Sequence, residues 1–251
     1  MNETCIVTGA SSGIGRATAI ALAERGRSVI CVARSGDALQ ALKTRYPEQV
    51  EIVCADLCDS AGISAVIESV KFVEHVDVLV HAAGSTVALR HYQDLQMPEL
   101  LNHMGLHVSV PIELNNRLKN KLTGSRILYM DSHSAITPRE GWSEYSIVKA
   151  AAQMAARSAM IELDRSSVIR VFPGGVRTAL VEQLLMADSE SPTVVAFKAL
   201  DASGGISEPA AVGRFVANIL LDATDLQLQA RQTWDFNNPE DHVAAHSRTT
   251  R

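Results

Sequence analysis

Tyr145 and Lys149 stand four residues apart in Tyr145-Ser-Ile-Val-Lys149, inside a stretch, 143–163, whose pattern is helical. On a helix that spacing puts a phenol and an ammonium on one face. A positive charge beside a phenol favours the phenolate, and so brings a group that ordinarily titrates near roughly 10 toward the range useful for acid–base work. Thirteen residues before Tyr145, Ser132 follows the apolar run 126–131, a predicted strand. A hydroxyl at the carboxyl end of such a strand can hydrogen-bond a substrate carbonyl. Pairs of this kind also occur on solvated helices, so their weight depends on what positions them.

The positioning begins at Thr8-Gly-Ala-Ser-Ser-Gly-Ile-Gly15, which follows the apolar run 5–7 and precedes a helical pattern over 16–25. A strand, a glycine-rich turn and a helix start aim free backbone N–H groups and the positive end of a helix dipole at an anion. The spacing is Gly-x3-Gly-x-Gly, not the commoner Gly-x-Gly-x-x-Gly fingerprint. Further strands are predicted over 28–33, 50–55, 76–81, 126–131, 168–172 and near 230–236. Helices fall over 36–45, 59–73, from about 96 to 121, 143–163 and 207–221. Apolar strand runs alternating with helices predict a single doubly wound, Rossmann-type α/β unit. It has a parallel sheet of about seven strands and helices on both faces. The pattern breaks down over 179–206, and the polar tail from 237 to 251 reads as frayed.

Composition narrows the class. The chain has 251 residues, 47% hydrophobic and 20% charged, enough for a sizeable core. A net charge of −5 argues against nucleic acid or an anionic membrane as the main partner. No apolar run approaches the roughly 18 residues of a membrane span. Cys5, Cys31, Cys54 and Cys58 lack metal-like pairing, and no metal is expected. Three of them fall in predicted strands as buried free thiols, which suits a reducing cytoplasm.

Taken together, the chain resembles the short-chain dehydrogenase/reductase family over roughly residues 3–236. The likeness is carried by Thr8-Gly-Ala-Ser-Ser-Gly-Ile-Gly15, Asp56-Leu57, Ala83-Gly84, Ser132, Tyr145 with Lys149, and Pro173-Gly-Gly-Val-Arg-Thr178. The resemblance implies hydride transfer between a nicotinamide cofactor and a small carbonyl or alcohol substrate. Tyr145 would be the general acid or base, Lys149 would tune it and bind the nicotinamide ribose, and Ser132 would polarise the carbonyl. Gly9, Ser11, Ser12, Gly13, Ile14 and Gly15 would surround the pyrophosphate. Asp56 and Leu57 would flank the adenine, Ala83 and Gly84 would floor the cofactor, and Pro173, Gly174, Val176 and Thr178 would hold its nicotinamide end. The region 179–206 would be a substrate lid, and the helices near 105–121 and 143–163 would build a homodimer or homotetramer.

Arg34 follows Ala33 at the end of the second strand, where NAD enzymes need a carboxylate. A guanidinium suits the 2′-phosphate of NADP, so NADP(H) is the expected cofactor and NAD(H) the alternative. Departures from the family pattern also show. His81-Ala82-Ala83-Gly84 replaces Asn-Asn-Ala-Gly, Asp131 precedes Ser132, and His107 (in another register Asn102) takes the place of an asparagine that holds a proton path. These departures leave a non-catalytic NADP-binding regulator as one competitor and an NAD-dependent alcohol dehydrogenase as another. The ending around Thr233-Trp-Asp-Phe236 resembles the sepiapterin or benzil reductase-like branch, and the apolar residues of 179–200 suggest an amphipathic helix packed on the core or, alternatively, a hydrophobic carbonyl substrate.

Overall fold

The computed structural model describes residues 3–245 except Val87 and Asp164. Among the described residues the strands are β1 (Thr4–Thr8), β2 (Ser28–Ala33), β3 (Val50–Cys54), β4 (Val78–His81), β5 (Arg126–Met130), β6 (Ser167–Phe172) and β7 (Thr233–Asp235). They form one parallel sheet in the order β3-β2-β1-β4-β5-β6-β7. Its helices are α1 (Gly13–Glu24), α2 (Gly36–Arg45), α3 (Ser60–Ser69), α4 (Met97–Met104), α5 (Val110–Leu118), α6 (Ser143–Glu162), α7 (Ala179–Met186), α8 (Pro192–Ala202), α9 (Pro209–Asp222), α10 (Asp225–Ala230) and α11 (Pro239–Ala245). None is long and apolar enough to cross a membrane.

Both faces of the sheet are covered because the central strand runs are apolar at successive positions, and successive side chains go to opposite sides. Cys5 and Val7 enter one core with Leu22 of α1 and Phe215 of α9, while Ile6 between them enters the other. Leu79 and Ile127 join Ile6 there with Leu114 of α5 and Ala156 of α6. The strand order reverses between β1 and β4, and at such a switch the carboxyl ends of the strands leave an open crevice.

Three expectations change. The region 179–206 is ordered as α7 and α8. The break in its pattern is the connection between them, closed by Ser191, whose Oγ accepts the Val194 N–H, and by Pro192 in the first turn of α8. The tail is not frayed through residue 245. In α11 the buried Asp241 accepts the Asp235 N–H at 2.6 Å and pairs with Arg231, and a ring nitrogen of His242 meets the Phe236 carbonyl; 246–251 lie outside the described residues. Finally, Cys5 and Cys31 are buried, but Cys54 is exposed at the sheet edge, its Sγ on the Arg34 carbonyl.

Candidate active site

The crevice starts at the turn between β1 and α1. Thr8 is buried, its hydroxyl donates to the Val80 carbonyl, and it accepts the N–H groups of Ala82 and Ala83, each at 3.1 Å. That is the support that Ala82 cannot give its own turn. Gly9 has φ +70°, and a Cβ there would lie 2.7 Å from the Ala82 oxygen. A Cβ on Gly15 would lie 2.4 Å from the Gly9 oxygen, so the turn closes only on glycine. Ser12 precedes α1 without capping it by its side chain. The first N–H groups of the helix therefore remain for a ligand, and the crevice is lined by Gly9, Ser11, Ser12, Gly13, Ile14 and Gly15. Together this uncapped helix start and the cradle a Cβ would fill fit a dinucleotide pyrophosphate. Thr178 packs its methyl toward Gly13 from the opposite wall.

On one side the crevice runs to Arg34, Asp56 and Leu57, at the ends of β2 and β3. Arg34 Nη1 lies 3.8 Å from Asp56 Oδ2, and both side chains are well exposed, so the pair is weak and the guanidinium stays available. Ala83 and Gly84 line both lobes.

On the other side stand Tyr145 and Lys149, on one face of α6. Lys149 is buried, donates from Nζ to the Met130 carbonyl at 3.0 Å, and lies 5.8 Å from the centre of the Tyr145 ring. Trp142 stacks on that ring at 4.6 Å. Ser132 is half-buried at the end of β5, and its Oγ accepts the Ser134 N–H at 3.2 Å. Pro173 lines the crevice, whereas the side chain of Val176 packs into the core and Gly174 lies against Asn237.

His107 lies in a π-helical turn, Gly105–Ser109, between α4 and α5. Such turns recur at functional positions. It is buried beside Gly84, and its Nε2 has no partner among the described residues. Burial first, then the charges of Lys149 and His103, hold its imidazole well below the usual histidine range. Asn102, the alternative register, is exposed on α4 and lines the adenosine-side lobe instead.

The other departures are accounted for locally. His81 and Asn115 share a 3.0 Å hydrogen bond, and Asn115 Nδ2 donates to the Tyr129 hydroxyl at 2.7 Å. Burial pushes His81 down to about 4, only partly offset by Asn115, and pushes Tyr129 up to about 12. Asp131 lines the crevice, but its carboxylate is engaged inside the protein. It accepts from Arg170 Nη1 at 3.0 Å, from Gln153 Nε2 and from the Ser132 N–H at 2.7 Å. Sequence reasoning missed the partners of these groups because they come from elements far apart in the chain, where no spacing signals them.

The profile of the short chain dehydrogenase family matches residues 3–188. The chain belongs to this family. Among relatives in the short chain dehydrogenase family, it is 31% identical over 188 residues to 2,3-dihydro-2,3-dihydroxybenzoate dehydrogenase of Escherichia coli, covering 72% of this chain and 73% of that one. A match to benzil reductase ((S)-benzoin forming) of Bacillus subtilis is 21% identical but spans 93% of this chain and 98% of the other. The crystal structure of a short-chain dehydrogenase/reductase from Saccharomyces cerevisiae superposes with a TM-score of 0.87 at 19% identity, covering 96% of this chain and 98% of that one. Membership in the short chain dehydrogenase family makes the chain an oxidoreductase of nicotinamide chemistry acting on small molecules.

Proposed function

We propose that the chain is an NADP(H)-dependent oxidoreductase interconverting a carbonyl compound and its alcohol, with Tyr145 as general acid in reduction and general base in oxidation. One observation carries the reading: Tyr145 and Lys149 face the same crevice as the uncapped start of α1. Gly9, Ser11, Ser12, Gly13, Ile14 and Gly15 would hold the pyrophosphate. Arg34, Asp56 and Leu57 would hold the adenosine end, with Ala83 and Gly84 beneath. Pro173, Gly174, Val176 and Thr178 would hold the nicotinamide end, the buried Val176 through its main chain. When bound, the nicotinamide supplies or accepts the hydride.

The chain's own groups handle the proton. Tyr145 donates it to the substrate oxygen, and Lys149, pinned by the Met130 carbonyl, holds positive charge beside the phenol. Because the Ser132 oxygen already accepts the Ser134 N–H, its own proton is free to be given to the carbonyl. His107, a buried imidazole kept neutral by burial and by Lys149, with an unpartnered Nε2, takes the place of the family's asparagine as a neutral hydrogen-bonding group on the proton path.

Arg34 after Ala33 supports NADP over NAD. Leu89, Leu180 and Phe197, packed around Trp142, support an apolar carbonyl substrate under a lid formed by α7 and α8. The length of the match to benzil reductase agrees with that choice and with the benzil reductase-like branch. Ile147, Met154 and Ile161, exposed at seven-residue intervals along α6, support a homodimer or homotetramer. The buried thiols Cys5 and Cys31 suit the cytoplasm. The regulator reading loses support, since Thr8 props the Ala82 turn and Asp131 is fully paired.

The test is NADPH oxidation, followed by absorbance, across aromatic diketones, pterins, quinones, steroids and simple ketones, with fluorescence titration of both cofactors. Turnover is expected, and Tyr145→Phe should lose about 10²-fold or more of it. A Tyr145→Phe variant that keeps most of its turnover overturns the mechanism. Tight NADPH binding without turnover on the whole panel would favour the regulator.

A further inference from the structure

Glu144, the residue directly before Tyr145, is 1% exposed, and a buried carboxylate persists only when it is held. Its Oε1 is bonded to His103 Nδ1 on α4, and its Oε2 lies 3.8 Å from Arg90 Nη1 and has no hydrogen bond. Arg90 is itself fixed. Its guanidinium forms a two-point pair with Glu99 of α4, with Nη2 to Oε1 at 3.0 Å, and its N–H donates to the Gly141 carbonyl at 2.8 Å. Arg90 also bridges to Trp142, whose ring stacks on Tyr145. His103 lines the adenosine-side lobe.

We propose that Glu144 is a positioning residue for Tyr145. Its carboxylate, bonded to His103 and facing the Arg90 charge, locks the first turn of α6 against α4 and the 88–96 segment, and so fixes where the phenol stands relative to Lys149. The geometry separates two faces of one helical turn. Tyr145 looks into the crevice, while Glu144 is rotated by about 100° onto α4, where it meets no reacting atom. The α6 start has no side-chain cap of its own, since Trp142 makes no capping bond. A carboxylate in that first turn also suits the positive end of the helix dipole. Its grip replaces the missing cap and ties the adenosine-side lobe, through His103, to the reacting end. The inference rests on Tyr145 being the acid–base group.

Glu144→Gln keeps the shape and removes the charge. Steady-state kinetics with NADPH should show kcat lower by about tenfold, with both KM values and the NADPH dissociation constant within about threefold. His103→Gln should lower kcat by a similar factor from the α4 side, and the kcat of the double variant should be no lower than that of either alone, because the groups act as a unit. His103→Gln also serves should Glu144→Gln not fold. A readout independent of any substrate is the alkaline titration of the Tyr145 phenol, taken as difference absorbance against Tyr145→Phe in each background. Loss of a nearby negative charge alone moves that midpoint down, whereas a phenol displaced from Lys149 moves it up. An upward shift together with the kcat loss supports the proposal. Wild-type kcat in the folded variants, or a midpoint that stays or falls, overturns it. Should no carbonyl compound be turned over by the wild type, the reading of the active site fails separately, and the phenol midpoint alone decides on Glu144.

Discussion

The Thr8 hydroxyl oxygen and the Ala82 amide nitrogen lie 3.1 Å apart, joining the end of β1 to the turn that follows β4. The same hydroxyl takes the Ala83 N–H and gives its proton to the Val80 carbonyl, so one buried side chain satisfies three main-chain groups. Thr8→Val keeps the volume and removes all three bonds. Leaving buried N–H groups unpaired costs about 1–3 kcal/mol. Urea denaturation should show a loss of that size, and the NADPH dissociation constant should rise as the floor at Ala83 and Gly84 shifts. An unchanged midpoint would mean that the turn is held by something else.

Much of the architecture is legible in the sequence because it depends on local patterns. Strand β2 falls on 28–33 as its apolar run predicts, and Tyr145 and Lys149 share a face because helical spacing requires it. The cradle is legible for the same reason, since Gly9 and Gly15 mark a turn that no side chain can enter. What stays hidden is pairing at long range. Nothing near Glu144 in the chain points to His103, 41 residues away, and nothing near Asp131 points to Arg170. The π-helical turn at His107 is hidden too, because the residues 96–121 carry an apolar pattern that reads as continuous helix. The tail from 237 reads as frayed because it is polar, yet Asp241 and His242 are spent inward, His242 on the Phe236 carbonyl.

Arg34 decides the cofactor test. It is well exposed and loosely paired with Asp56, so its removal leaves the fold intact. Arg34→Ala should raise the NADPH dissociation constant by about tenfold, the size of one charge-assisted contact to a phosphate, and leave that for NADH within about twofold. Fluorescence titration of both cofactors checks it. Equal losses for the two, or none for either, would remove the case for NADP.

Two buried histidines are expected to lower stability on the acid side. His81 falls from 6.5 to about 4 in the folded chain, and His107 falls in the same direction, both chiefly through burial. The unfolded chain therefore binds these protons first as pH drops. The stability they carry is complete above about 6.5 and is lost on going down toward 4. For His81 the shift corresponds to about 3 kcal/mol. Between about pH 7.5 and about pH 5 the His81 part of the loss should be about 2 kcal/mol, the rest following below about pH 5, and His81→Asn should reduce the drop in denaturation midpoint. An equal drop in the variant would assign the acid sensitivity to other groups.

Asp131 gives the largest expected effect on stability. Its carboxylate is almost fully buried and meets Arg170 at 3.0 Å, with Gln153 of α6 and the Ser132 N–H completing the set. Arg170 in turn reaches Thr233, so the charge pair ties β5, β6 and β7 at the edge of the crevice. Asp131→Asn leaves the guanidinium buried without its counter-charge, which costs about 3–5 kcal/mol. Removing both charges, as Asp131→Asn with Arg170→Met, should recover a large part of that loss, since an apolar replacement of a buried pair is often close to neutral. Urea denaturation of the two single variants and the double variant forms the cycle that checks it. Additive losses would mean that the two groups stabilise the edge independently, and that the ion pair itself contributes little.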